Sequence, residues 1–161
     1  MQPPAVVPKY AASLELLSRS IELYLRGDSF YSALHLAGAA EEVLAVYVGD
    51  FPAEPSSGTG SASDQLKQAF VALSSPTSPQ DKATLEKWFH NTTYAAKNSV
   101  KHKFGRKDHL VDFPPQEEAA ELLDLAVSTY FQLLSRTDIP YLPCIEAFDQ
   151  QRRVEKAQDE A

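Results

Sequence analysis

The sequence predicts an all-α protein, built as an up-and-down bundle of about five helices. Apolar residues recur at steps of three and four along most of the chain, which is the spacing of one face of a helix. Alternation of Val, Ile and Thr with polar residues, the pattern of a half-buried strand, is scarce. Only six glycines are present, and segments rich in Pro, Gly and Ser separate the periodic stretches.

The first two helices have clear boundaries. Residues 1–8 carry three prolines and are expected to form an extended arm. The first helix is predicted from Lys9 to Arg26, with an apolar stripe of Tyr10, Leu14, Leu17, Ile21 and Tyr24. Gly27 suits the left-handed position after its end, and Ser29 is expected to cap the second helix. This helix, about Phe30 to Val48, is rich in small residues, which predicts a central position between close neighbours.

Three further helices follow a linker over residues 49–63, which reads GDFPAEPSSGTGSAS. The third helix is short, from about residue 63 or 64 to Leu73, and its apolar face is predicted to hold Leu66, Phe70 and Leu73. The fourth is predicted as one helix from Pro79 to about His102, with a proline in its first turn. The fifth is predicted from Pro115 to Ser135, with an apolar stripe of Leu122, Leu125, Ala126, Tyr130 or Thr129, and Leu133.

Length and composition favour one globular domain. The 161 residues suffice for one core, which we place at residues 9–138, followed by a charged tail or short helix over residues 139–161. A single cysteine, Cys144, excludes an internal disulfide framework. No stretch resembles a secretory leader or reaches the ~20 apolar residues of a membrane span. We therefore expect a cytoplasmic protein that does not insert into membranes.

A basic segment, which we define as residues 97–107, stands out in a chain of net charge −7. It contains no acid and five of the fifteen basic residues: Lys97, Lys101, Lys103, Arg106 and Lys107. Asn98 and His102 are four residues apart and would share one helix face. Two explanations stay open. The cations complement the negative end of a helix dipole, or they form a local phosphate site at which His102 transfers protons near neutral pH.

The second helix supplies candidate partners for this segment. His35 and Glu42 lie seven residues apart on one stripe of small residues. An acid in such a stripe is costly unless it is paired, so a Glu of this helix is a candidate partner for Lys97, Lys101 or His102. For Glu42, structural pairing and a direct role in the site both stay open. Because Glu41 adjoins it, at least one of the two acids is expected to face solvent. His35 is expected to be half-buried and hydrogen-bonded. The four histidines lack a metal-ligand spacing, and no metal or cofactor is predicted.

The chain resembles the HEPN superfamily of small all-α domains in three segments, SALHLAGAAEEVL, NSVKH and LVDFPPQEEAAELLDLAVSTYFQLL. Together these segments span most of residues 10–136, and they also resemble a group of uncharacterised bacterial proteins within or near that superfamily. The family motif has Arg, then a polar residue that is often Asn, and a few residues later His, near the end of a long helix. The matching residues here are Lys97, Asn98 and His102, with Lys in place of Arg.

The resemblance implies an RNA-binding domain or a metal-independent endoribonuclease of a defence or toxin–antitoxin system. In that function His102 acts as general acid or base, Asn98 orients it or binds phosphate, and Lys97 stabilises charge on the phosphorus oxygens. The other cations, Lys101, Lys103, Arg106 and Lys107, would contact RNA. The resemblance also implies a homodimer with a composite cleft, and an antitoxin-type protein as a further partner.

Enzymatic activity stays open, because Lys lacks the planar fork with which Arg grips phosphate. The alternative function is a non-catalytic dimeric module that binds a protein or a small nucleotide. The hypothesis of a ribonuclease or RNA-binding domain predicts that the five cations converge on one cleft that contains His102, and that the dimer doubles this cleft. The non-catalytic hypothesis predicts a buried His102, bonded to Glu42 or another acid, and a Lys97 that points to solvent.

Overall fold

Seven α-helices and no strand make up the part of the chain that the structure describes. The computed structural model describes residues 6–51, 60–103 and 105–159. Its helices are α1 (Lys9–Arg26), α2 (Phe30–Asp50), α3 (Ala62–Ser74), α4 (Pro79–Thr93), α5 (Ala95–Lys101), α6 (Pro115–Leu134) and α7 (Cys144–Asp159). The all-α prediction is confirmed. The expected number of about five helices is too low, since the predicted fourth helix is two helices and the C-terminal segment is helical.

Helix α2 lies at the centre, where it packs against α1, α5 and α6. Several of its buried positions are small, as at Ala33, Ala37 and Ala40, and small residues let neighbouring backbones approach closely. The core around it is filled by larger side chains from α1 and α6: Leu17, Ile21, Leu123, Tyr130 and Leu133. The central position predicted for this helix is therefore confirmed.

The turn between α1 and α2 follows the sequence prediction. Gly27 is left-handed, with φ of 65°, and its N–H donates to the carbonyl of Tyr24 at 3.0 Å. The N–H of Asp28 donates to the carbonyl of Leu23, which completes a Schellman-type end. The hydroxyl of Ser29 accepts a hydrogen bond from the Ser32 N–H and caps α2. A connection this short makes α1 and α2 antiparallel neighbours.

The predicted single helix from Pro79 to His102 is wrong. It breaks at Tyr94, whose backbone has left the helical region (φ −107°, ψ 11°). The break turns the Tyr94 side chain inward, where it is buried and hydrogen-bonded to Glu41. Helix α5 then runs along α2 as a separate short helix. No proline or glycine marks the break, and the contact found at it is the tertiary hydrogen bond between Tyr94 and Glu41.

The two ends of the described chain differ from each other, since the N-terminal residues are exposed and the C-terminal helix is packed. Residues 6–8 are non-helical and exposed, and the rest of the expected N-terminal arm lies outside the described residues. Much of the predicted linker, residues 52–59, also lies outside them. Helix α7 packs on α1 and contributes Ile145 and Phe148 to the core. The C-terminal segment is therefore part of the packed structure.

Helices α3 and α4 pack more loosely than the rest. The predicted apolar face of α3 is largely exposed, since Leu66 is 53% and Leu73 87% exposed, and the buried residue of this helix is Val71. Helix α4 has no buried residue at all. These two helices pack against each other, and α3 also packs against α6. None of the described helices is both long enough and apolar enough to cross a membrane.

Candidate functional site

Lys97 is buried, with 3% of its surface exposed. Its aliphatic chain fills the space beside Gly38 of α2, where an added Cβ would lie 2.1 Å from the Lys97 Cδ. Its Nζ forms an ion pair with the Glu42 carboxylate and lies 4.8 Å from the centre of the Tyr94 ring. Of the two roles left open for Glu42, the structure shows the ion pair, with Lys97 as its partner. Lys97, which matches the Arg position of the HEPN motif, therefore packs against α2 and pairs with an acid of that helix.

A second acid of α2, Glu41, is fully buried, which the sequence did not predict. Its carboxylate accepts hydrogen bonds from Tyr94 at 2.7 Å, from Ser63 at 2.8 Å and from Thr129 at 3.5 Å. Burial, together with the nearby Glu41 carboxylate, raises the pKa of the Tyr94 phenol. Glu42 is the acid that faces solvent, as expected for one of the pair. A polar cluster of Glu41, Tyr94, Ser63 and Thr129 thus joins four parts of the fold.

His102 lies just beyond the end of α5, with an extended backbone (φ −127°, ψ 141°). Its N–H still donates to the Asn98 carbonyl at 2.9 Å, but the shared helix face predicted for Asn98 and His102 is lost. The His102 side chain is exposed and Asn98 is partly buried. The arrangement expected for a non-catalytic module, with His102 buried and Lys97 in solvent, is therefore wrong at both residues.

A surface cleft of about 400 Å³ lies at the end of α5, and we name it the basic cleft. Its lining residues are Ser99, Val100, Lys101, His102, Lys103, Asp108, His109, Leu110 and Val111. Arg106 and Lys107 are exposed in the same loop but do not line the cleft. The prediction that all five cations converge is wrong, because Lys97 points into the bundle. Two of the five, with His102, do share one cleft.

The remaining predicted supporting residue, His35, does not join this site. It is partly exposed on α2 and does not line the basic cleft. The hydrogen bond expected for it is absent among the described residues. In the described ranges, no group of three His, Cys, Asp or Glu side chains is placed to hold a metal ion.

A larger cleft, of about 760 Å³, lies between α3, α4 and α6, and we name it the apolar cleft. It is lined by Leu34, Ala62, Leu66, Phe70, Trp88, Phe89, Thr92, Thr93, Glu118, Glu121, Leu122, Asp124, Leu125 and Ser128. Leu66 and Phe70 belong to the predicted apolar face of α3, and Leu122 and Leu125 to the predicted stripe of α6, but no cleft was predicted between these helices. The missed signal is the crowding of Trp88 and Phe89 on a helix that otherwise carries few apolar residues.

No protein-family model, no curated protein and no solved structure matches this chain. The resemblance to HEPN proteins therefore stays a prediction, as does the homodimer that it implies. The two clefts and the polar cluster between α2 and its neighbours are the features of the structure that bear on function.

Proposed function

We propose that this chain binds single-stranded RNA through its basic segment and does not cleave it. The observation that carries this proposal is the basic cleft, in which Lys101, His102 and Lys103 are exposed side by side. Arg106 and Lys107 extend the positive surface along the same loop. Cationic side chains that neutralise phosphates supply most of the affinity of sequence-independent nucleic-acid binding.

The shape and chemistry of the basic cleft favour an unpaired strand. Two imidazole rings, those of His102 and His109, lie among the lysines. Flat rings beside cations suit a single strand, whose bases stack on the rings while its phosphates contact the cations. The choice of RNA over DNA rests on the HEPN resemblance. The net charge of −7 restricts nucleic acid to this local surface, since most of the remaining surface repels phosphate.

The burial of Lys97 is the reason for proposing binding without cleavage. Phosphodiester cleavage needs a general acid or base together with a cation that stabilises charge on the phosphorus oxygens. Lys97 would supply that cation in the HEPN motif, but its ammonium group is paired with Glu42 beneath the surface. His102 is exposed at the surface, whereas the Lys97 side chain is buried.

Fluorescence anisotropy with a labelled RNA of about 12 nucleotides tests the proposal, in EDTA and at low salt. The double variant Lys101→Gln/Lys103→Gln is expected to bind roughly tenfold more weakly than the wild type. Lys9→Gln/Lys87→Gln is the matched control, because both lysines are exposed on other helices and the charge change is the same. Absence of saturable binding, or equal losses in both double variants, would overturn the proposal.

The integrity of the RNA after these titrations tests the second half of the proposal. Intact RNA is expected with the wild type and with His102→Ala. Fragments that the wild type produces and His102→Ala does not would show a catalytic His102. That result would replace binding without cleavage by ribonuclease activity.

A further inference from the structure

We infer that the apolar cleft binds an amphipathic helix of a partner protein, with basic residues along one edge of that helix. The apolar cleft shares no lining residue with the basic cleft. The inference therefore concerns a second surface and does not rest on the proposed RNA binding.

The walls of the apolar cleft expose large apolar side chains to solvent. Trp88 of α4 is 55% exposed, although its ring stacks on Phe70 of α3 with 5.3 Å between the centroids. Phe89 lies beside the same Phe70 ring, at 5.6 Å, and Leu66 is half-exposed next to them. Contiguous exposed apolar surface in a concave site is typical of a binding site.

The negative charge at the rim of the apolar cleft favours a basic partner. Three acids of α6 line the cleft, Glu118, Glu121 and Asp124, and no base does. Asp124 is already paired with Arg152 of α7 at 3.0 Å. Glu118 and Glu121 form no ion pair among the described residues. Burial, with repulsion from Glu121 and Glu117, raises the pKa of Glu118. A partner cation would relieve that repulsion, so a basic partner is favoured over an acidic one.

The arrangement of the walls favours a helix as the occupant. The cleft lies between helices of 13 and 15 residues on one side and α6 on the other. Such walls extend for about 20 Å, since a helix rises 1.5 Å per residue. A third helix placed between them would bury apolar residues at i, i+3 or i+4, and i+7. The same helix would bring its edge within reach of Glu118 and Glu121.

Two synthetic helical peptides of about 16 residues provide the probe. They share one apolar face, and they carry Lys or Glu along the edge. The full chain has one tryptophan, and it lines the cleft, so its fluorescence reports occupancy. The Lys peptide is expected to shift the Trp88 emission to the blue and to bind roughly tenfold more tightly than the Glu peptide.

Two variants with matched controls locate the binding. Glu121→Lys is expected to lower the affinity for the Lys peptide roughly fivefold and to raise the affinity for the Glu peptide. Glu15 is exposed on α1, and Glu15→Lys is expected to leave both affinities unchanged. Leu66→Asp is expected to lower the affinity for both peptides. Leu73 is exposed outside the cleft, and Leu73→Asp is expected to leave both affinities unchanged. Circular dichroism confirms that each variant is folded.

Three results would overturn the inference. One is the absence of a Trp88 shift with either peptide. Another is equal affinity for the Lys and Glu peptides. The third is a blue shift with a small lipophilic amine under conditions in which neither peptide binds, since the cleft would then be a small-molecule site.

Discussion

The phenolic oxygen of Tyr94 donates a hydrogen bond of 2.7 Å to Oε2 of Glu41, and both side chains are buried. Glu41 belongs to the central helix α2, whereas Tyr94 marks the point at which α4 gives way to α5. The other carboxylate oxygen of Glu41 accepts a hydrogen bond from Ser63 in the first turn of α3. The buried Glu41 carboxylate therefore connects α3 and the end of α4 to the central helix by hydrogen bonds.

Replacement of Tyr94 by Phe tests this attachment. The change removes one donor from a buried carboxylate, and we expect the free energy of unfolding to fall by about 1–3 kcal/mol. Urea denaturation measures it. Tyr31→Phe is the control, because Tyr31 is exposed and has no hydrogen bond among the described residues, and it should change stability by less than about 0.5 kcal/mol. Equal effects of the two variants would contradict the account.

Replacement of Gly38 by Ala tests the burial of Lys97. A Cβ at Gly38 would lie 2.1 Å from Cδ and 2.9 Å from Cγ of Lys97, so the lysine must leave its slot and its Glu42 partner. We expect a loss of about 1–3 kcal/mol in urea denaturation. Gly49→Ala on the same helix meets nothing within 4 Å and should be neutral or stabilising by up to about 1 kcal/mol. A neutral Gly38→Ala would show that Lys97 lies elsewhere.

Lys97→Met tests whether the buried cation contributes to the proposed RNA binding. Methionine keeps much of the apolar chain, and the half-exposed Glu42 stays hydrated without its partner. We expect RNA affinity within about twofold of the wild type, because Lys97 does not contact phosphate in this account. The anisotropy assay measures it. A loss as large as that of Lys101→Gln/Lys103→Gln would show that Lys97 leaves its slot to bind RNA.

Alkaline pH tests a second buried tyrosine, Tyr24 of α1. Its hydroxyl donates to both carboxylate oxygens of Glu155 on α7, at 3.0 and 2.8 Å. Burial, with the Glu155 hydrogen bond and charge, raises the pKa of Tyr24 to about 12. An unfolded tyrosine ionises near pH ~10. The stability that the neutral phenol contributes is therefore complete below pH ~10 and is lost as the pH rises towards 12.

The matching variant is Tyr24→Phe, which has no phenol to ionise. The stability difference between wild type and variant should shrink by about 1–2 kcal/mol between pH ~10 and ~11.5. Urea denaturation at a series of pH values measures that difference. A difference that stays constant over this range would mean that Tyr24 ionises equally in the folded and unfolded chains.

Local sequence signals sufficed where one element determines its own structure. The stripe of α1, the left-handed Gly27 and the Ser29 cap depend on neighbours within a few residues, and the structure confirms all three. The stripe of α6 is buried at Leu122, Ala126, Thr129, Tyr130 and Leu133, whereas Leu125 is only partly buried and lines the apolar cleft. The all-α architecture follows from these periodic segments together.

The sequence predictions fail where contacts between distant segments determine which residue is buried or where a helix ends. Neighbouring residues on a helix point about 100° apart, and the small-residue stripe of α2 is broad, so its pattern did not show that Glu41 rather than Glu42 is buried. The break at Tyr94 depends on that same Glu41. Lys97 is buried because Gly38 leaves room for it, which only the packing of α5 on α2 reveals.

The salt dependence of RNA binding tests the central claim most directly. Each phosphate neutralised on a single strand contributes about −0.7 to the slope of log K against log salt concentration. Lys101→Gln/Lys103→Gln should reduce the magnitude of the wild-type slope by about 1.4, whereas Lys9→Gln/Lys87→Gln should leave it unchanged. A slope unaffected by loss of Lys101 and Lys103, or no RNA binding at low salt, would contradict the assignment of the basic cleft to RNA.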